Sequence, residues 1–182
     1  MLGIVFTSLI DMLEEKVSPD FADDVIVAAD LDNEGAFTSV GYYPFSDMQK
    51  LLGVLVEKTG KPADVLLHDF GYYLFGKLAA HHGSVMGTTP NIIELLYHLD
   101  DDIHMQVKRL YPDADLPTFN VLGKTANEIT VEYISHRELV SLAEGLIDSA
   151  ADFFENSIIR ETTKTSKDCT YEFTVKMTQA PL

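Results

Sequence analysis

The stretch Glu128-Ile129-Thr130-Val131-Glu132-Tyr133-Ile134 sets Ile129, Val131 and Tyr133 at every second position. In an extended chain these side chains share one face, so the stretch reads as a strand. The spacing changes directly afterwards. Leu139, Leu142, Leu146, Ile147 and Phe153 fit one side of a helix over Ser135–Phe154. Ser157–Thr165 and Thr170–Met177 are strand-like again, and Tyr171, Phe173, Val175 and Met177 alternate.

Everything upstream reads as helical. Ile4, Leu9, Ile10 and Leu13 mark a first amphipathic helix that ends before Pro19, and a second runs from Phe21 to Ala29. Asp32-Asn33-Glu34-Gly35 forms a turn. Ser46-Asp47 opens a third helix, with Met48, Leu51, Leu52 and Leu55 on one side, which stops near Gly60-Lys61-Pro62. Leu67, Phe70, Leu74 and Leu78 stripe a fourth helix over Ala63–Ala80, ended by His81-His82-Gly83, whose adjacent imidazoles read as surface groups. Gly71 inside it costs ~1 kcal/mol relative to alanine; it is a close contact, a bend, or simply tolerated. A further helix spans Asn91–Leu99, with Ile92, Leu95, Leu96 and Leu99 inward. Asp100-Asp101-Asp102 leads into a short one carrying Ile103, Val107 and Leu110, closed by Pro112 and Pro117. Helices first, then strands around one helix, give an α+β domain: an N-terminal helical part followed by an antiparallel sheet packed with helices.

The chain has 182 residues, enough for one domain, and a formal charge of −16. Such a surface repels phosphate backbones and anionic lipid heads, so nucleic acid and membranes are poor partners. No apolar run approaches the ~20 residues of a membrane span. The first residues lack the basic segment and cleavage site of a signal peptide. The one cysteine, Cys169, allows neither an internal disulfide nor a Cys-x-x-Cys site. A cytoplasmic protein is expected. No Gly-rich phosphate loop, Gly-x-Ser-x-Gly or His-x-x-x-His pair is present, so no enzyme is expected.

Two groups of residues suggest chemistry. His104 lies at the edge of the Ile103/Val107/Leu110 stripe; it is either a neutral imidazole suited to iron or a solvent-facing histidine beside Asp100 or Asp101. In Tyr133-Ile134-Ser135-His136-Arg137, Ser135 with Glu138 has the form of a helix capping box. Arg137 in the first helical turn would oppose the helix dipole. Either a carboxylate ligand sits between Arg137 and the free helical N–H groups, or Arg137 pairs with one of the many acidic residues.

The combination resembles the H-NOX family, the haem-nitric oxide/oxygen binding domains. Tyr133, Ser135 and Arg137 stand as its Tyr-x-Ser-x-Arg motif, which holds the haem propionates. Ile103-His104 and Leu110-Tyr111-Pro112-Asp113-Ala114-Asp115-Leu116-Pro117 are similar to its proximal-histidine region. Met1-x-Gly3-Ile4, Phe70-Gly71 and Leu142-Ala143-Glu144-Gly145-Leu146 match further positions. The resemblance implies haem b held non-covalently, with His104 as the axial iron ligand and Pro117 as the residue that distorts the ring. It implies hinges at Gly3 and Gly71, and a helical subdomain (1–62) set on a haem-holding subdomain (63–182) with the haem buried between them. The implied pocket residues are Val5, Leu9, Leu67, Leu74, Leu78, Ile103, Pro117, Leu142 and Leu146. Oxygen-binding members carry a distal tyrosine where this chain has Leu142, and Leu9 and Leu74 also lack donors. NO and CO are therefore the expected ligands, with Tyr72 and Tyr73 turned elsewhere. The implied partner is a histidine kinase or diguanylate cyclase. Zinc, bound by several C-terminal cysteines in some members, is not expected. An oxygen or redox sensor, or a non-haem acidic adaptor, are the competing readings.

Overall fold

A computed structural model describes residues 1–81 and 86–178; His82 and Gly83 lie outside them. Helix α1 (Gly3–Lys16) buries Phe6, Leu9 and Leu13 and leaves Ile4 and Ile10 half-buried. Helix α2 (Pro19–Ala29) starts where Ser18 accepts the Phe21 N–H at 3.1 Å and proline occupies the first turn. Helix α3 (Phe45–Thr59) stops at Gly60, whose φ of 67° ends the helix in the left-handed region. Met48, Leu51 and Leu55 face inward from α3. Phe6 stacks on Phe37 at 4.6 Å and meets Tyr43 edge-on. These residues form a helical core that also takes Phe70 and Leu74 from α4 (Ala63–His81) and Leu142 from α7 (Val140–Phe153).

A second core lies under the sheet. Strands β1 (Thr118–Lys124), β2 (Glu128–Ile134), β3 (Ile158–Lys164) and β4 (Thr170–Met177) are antiparallel in the order β1-β2-β4-β3. Ile129 lies opposite Val175 and Val131 opposite Phe173, and all four are fully buried. Helix α5 (Ile92–His98), capped by Asn91 on the Glu94 N–H, packs Ile92, Ile93, Leu95 and Leu96 against them. Strand β1 was not expected. It is an edge strand in which only Phe119 is buried, so its sequence carries no alternation to read.

Two further expectations are corrected. The chain after α5 forms a π-helical turn, Leu99–His104, before the short α6 (Met105–Leu110). That turn is wider than an α turn and changes which residues face inward; Leu110 is 70% exposed rather than inward. The helix expected from Ser135 begins only at Val140. Glu138 holds a left-handed φ of 48° and directs its carboxylate to the Tyr171 hydroxyl and the Lys164 amine, so no capping box forms.

Helices α4 and α7 touch backbone to backbone. A Cβ at Gly71 would overlap the carbonyl oxygen of Leu142, and one at Gly145 would overlap that of His68. Close contact is therefore the role of Gly71, and Gly145 is its reciprocal partner.

Beside this contact, Arg160 of β3 grips α7. Its Nε and Nη2 donate to the two oxygens of Asp148 at 2.9 Å, and its Nη1 donates to Glu144 at 2.7 Å. His68 of α4 reaches the same Asp148 at 2.8 Å. Burial alone would raise the Asp148 pKa, but the Arg160 and His68 hydrogen bonds overcome it and hold the carboxyl below its usual value. A depressed folded pKa gives stability that is complete above the unfolded value and is lost as pH falls through the folded one. Arg160→Ala is expected to cost about 2 kcal/mol at neutral pH. In chemical denaturation the gap from the unmodified protein should close below about pH 4; a gap independent of pH would contradict this role.

Candidate haem site

His104 ends the π-helical turn. Its side chain is only 14% exposed, and its Nδ1 lies 2.8 Å from Asp100 Oδ1. The ring sits 5.8 Å from that of Phe119. Burial is the strongest influence on its pKa and holds it below the ordinary histidine value, while the hydrogen bond to Asp100 opposes the shift. The imidazole is thus neutral near pH 7, the form that binds iron. Of the two readings of His104, the solvent-facing one fails. The side chain is enclosed, and Asp100 is its hydrogen-bond partner.

Tyr133, near the end of β2, is 2% exposed. Burial raises its pKa, opposed by a hydrogen bond with Ser135. Ser135 lies in the turn that follows, tied by its N–H to the Cys169 carbonyl at 3.0 Å. Its hydroxyl accepts from the Arg137 N–H at 3.4 Å. Arg137 precedes α7 rather than lying in its first turn, so the helix-dipole argument for an anion does not apply. Asp115 provides one partner: Arg137 Nη1 donates to its carbonyl and Nη2 to its carboxylate, both at 2.8 Å. The Arg137 Nε remains buried with no partner among the described residues. A buried donor left unpaired is costly, so this N–H is poised for an acceptor the polypeptide does not supply.

The Met1 amine donates to the Tyr43 carbonyl at 2.7 Å. Burial first, and the Arg137 charge second, lower its pKa, which places it within electrostatic reach of Arg137. The guanidinium also lies 5.7 Å from the Phe45 ring. Sequence reading named Asp100 only as a neighbour of a solvent-facing His104, and gave Asp115 and the Met1 amine no role at the site. Asp100 had a signal, its four-residue spacing from His104. The other two meet the site from distant positions in the chain.

The apolar residues expected around the group fall on the two cores. Leu9, Leu74 and Leu142 are buried in the helical core, with Val5, Leu67 and Leu78 packed half-buried against it. Ile103 packs against the sheet core, and Leu146 against both. Pro117 is half-buried, and its carbonyl acts on the His104 ring. Leu67 and Leu9 also line a cavity of about 640 Å³ among α1, α2, α3 and α4. Tyr72 points outward and donates to Asp152 at 2.5 Å. The Tyr73 ring lies under Lys77; its hydroxyl is buried with no hydrogen-bond partner among the described residues, and burial is the main influence raising its pKa, with Lys77 and Glu15 as lesser ones. Glu15 is six residues beyond Leu9, about 9 Å along the helix axis. Among the described residues, no three His, Cys, Asp or Glu side chains converge as a metal cage, and no helix is long and apolar enough to cross a membrane.

A neutral enclosed imidazole, apolar walls shared by two cores, and a buried guanidinium with a spare donor meet the needs of a non-covalently held porphyrin. Haem is an apolar disc with one axial position to fill and two carboxylates to neutralise. The residues present fit that group, and the arrangement is that of a haem-binding domain. The family model described as Haem-NO-binding matches residues 2–162, and the chain belongs to this family, the H-NOX domains. The chain is similar to the Fe(II) unliganded H-NOX protein of K. algicida, with 32% identity over 100% of this chain and 99% of that one and a TM-score of 0.92. It is similar to the IWP-051-bound H-NOX of Shewanella woodyi in the Fe(II)CO state, with 32% identity over 97% and 94% and a TM-score of 0.82. The H-NOX protein of S. oneidensis in the Fe(II)NO state shares the fold, at 24% identity over 98% and 100% and a TM-score of 0.90. No match is found among curated proteins. Haem is the cofactor, and domains of this family are gas sensors rather than catalysts.

Proposed function

We propose that this chain senses nitric oxide at ferrous haem b and relays the event to a signalling protein. His104 supplies the axial imidazole. Tyr133, Ser135 and Arg137 bind the propionates, with the Arg137 Nε as the donor still free for one. Pro117, half-buried beside His104, would pack against the bound group. When bound, ferrous haem supplies one open coordination position for a diatomic gas.

The observation that carries the choice of gas is the makeup of the helical core. Leu9, Leu74 and Leu142 are 3%, 3% and 8% exposed and have no donor, and Tyr72 donates to Asp152; the Tyr73 ring packs under Lys77, and its buried hydroxyl is unpaired among the described residues. Bound oxygen gains from a hydrogen-bond donor, whereas NO and CO bind without one. Relatives are known with these gases bound, the S. woodyi protein with CO and the S. oneidensis protein with NO.

For the relay, release of His104 would free the π-helical turn that carries it. Gly3 and Gly71 would carry that movement through their close backbone contacts. A Cβ at Gly3 would overlap the Thr38 carbonyl, and Gly71 abuts that of Leu142, so movement of α1 or α4 passes directly to neighbouring backbone. Ligand then biases a two-state element. The reader is a histidine kinase or diguanylate cyclase, and the compartment is the cytoplasm.

Leu142→Tyr places a phenolic donor at the position this reading treats as decisive. The reduced variant is expected to gain an oxygen-bound absorption spectrum that persists in air, while the unmodified protein gains none. A persistent oxygen-bound spectrum in the unmodified protein would refute NO selectivity.

A further inference from the structure

The reading above uses His104 as a ligand and leaves its neighbour Asp100 without a role. Two of the three consecutive carboxylates, Asp100 and Asp102, each pair with a histidine. Asp102 meets His98 Nδ1 at 3.0 Å, and Asp100 meets His104 Nδ1 at 2.8 Å, each four residues apart on one face. The two pairs differ in setting. The His98 and Asp102 side chains are 52% and 59% exposed, against 14% and 32% for His104 and Asp100. Water screens the first pair more than the second, in which the imidazole is enclosed and the carboxylate is partly exposed.

A carboxylate on Nδ1 has two consequences for an enclosed imidazole. It holds the ring proton on Nδ1, which leaves the Nε2 lone pair for a metal. It also draws that proton toward itself, which makes the ring a stronger electron donor at Nε2. The neighbouring Phe119 ring restricts the imidazole from another side. We propose that Asp100 is the positioning residue of the axial ligand: its carboxylate sets the tautomer and donor strength of His104, and so sets how readily a gas bound opposite breaks the iron–histidine bond. This rests on the reading of His104 as the axial ligand.

The test compares unmodified protein with Asp100→Asn, Asp100→Ala, Asp102→Asn and His104→Gly. Three readouts are taken: the iron–imidazole stretching band of the ferrous haem protein, the NO complex, and the ¹⁵N shifts of His104 in haem-free protein. Asp100→Asn keeps an acceptor but removes the charge. It is expected to lower the band frequency and increase the share of NO complex that has lost His104. Asp100→Ala is expected also to mix the His104 tautomers without haem and to weaken haem binding roughly 10- to 100-fold. Asp102→Asn is expected to change none of these. An unchanged band in both Asp100 variants, or an equal shift in Asp102→Asn, would overturn the proposal. A band that survives in His104→Gly would instead overturn the axial assignment itself.

Discussion

His104→Gly protein is expected to lose its haem during purification and to recover it when free imidazole is supplied. The structure allows this to be a loss of ligation rather than of folding. His104 lies at the end of a π-helical turn and belongs to neither core cluster. Ile103 and Phe119, which hold the surroundings in place, are untouched. Removing a hydrogen-bond partner of a metal ligand costs roughly 10- to 100-fold in affinity, and removing the ligand itself should cost more. Far-UV circular dichroism should stay the same while the Soret band disappears. Full haem retention without imidazole would show that another residue ligates the iron.

The second large effect is structural. Gly145→Ala should lower stability by about 2 kcal/mol, near the middle of the range for overpacking a tight contact. For a chain of this size that is a fall in Tm of roughly 4–8 °C. The added methyl would meet the His68 carbonyl oxygen and press on the Tyr72 backbone nitrogen, and backbone cannot rotate away as a side chain can. Gly53→Ala is the control: it lies in a helix of similar length, and a Cβ there meets nothing within 4 Å. Alanine at that position should be neutral or slightly stabilising. Equal effects at the two positions would mean that the α4–α7 contact is looser than described.

The helices of the first eighty residues were legible because each buries one stripe against a core, and the stripe is written in the spacing of Phe, Leu and Ile. Strands β2 and β4 were legible for the same reason at a period of two. Strand β1 was not, because an edge strand with one buried side chain has no pattern to repeat. The π-helical turn left no trace either. It changes backbone hydrogen bonding, and spacing through it assumes α geometry, which sent Leu110 to the wrong face. Ser135 and Glu138 have the residue types of a capping box, yet Glu138 is spent on Tyr171 and Lys164, neighbours that only the folded sheet supplies.

The site shows the same division. Tyr133, Ser135 and Arg137 are close in sequence and could be taken together. Arg137 and Asp115, 22 residues apart, are joined by the fold. Their ion pair answers one reading of Arg137 while its unpaired Nε keeps the other in play. Spacing alone did not separate His104 from an ordinary surface histidine. Its enclosure beside Phe119, with Asp100 on one ring nitrogen, is what distinguishes it.

The most direct measurement is the absorption spectrum of purified protein, reduced under argon and then exposed in turn to NO, CO and air. The expected result is a Soret band that shifts with NO and with CO and forms no lasting oxygen complex. Protein that is colourless and takes up no added haem, or that holds oxygen stably in air, would contradict the account.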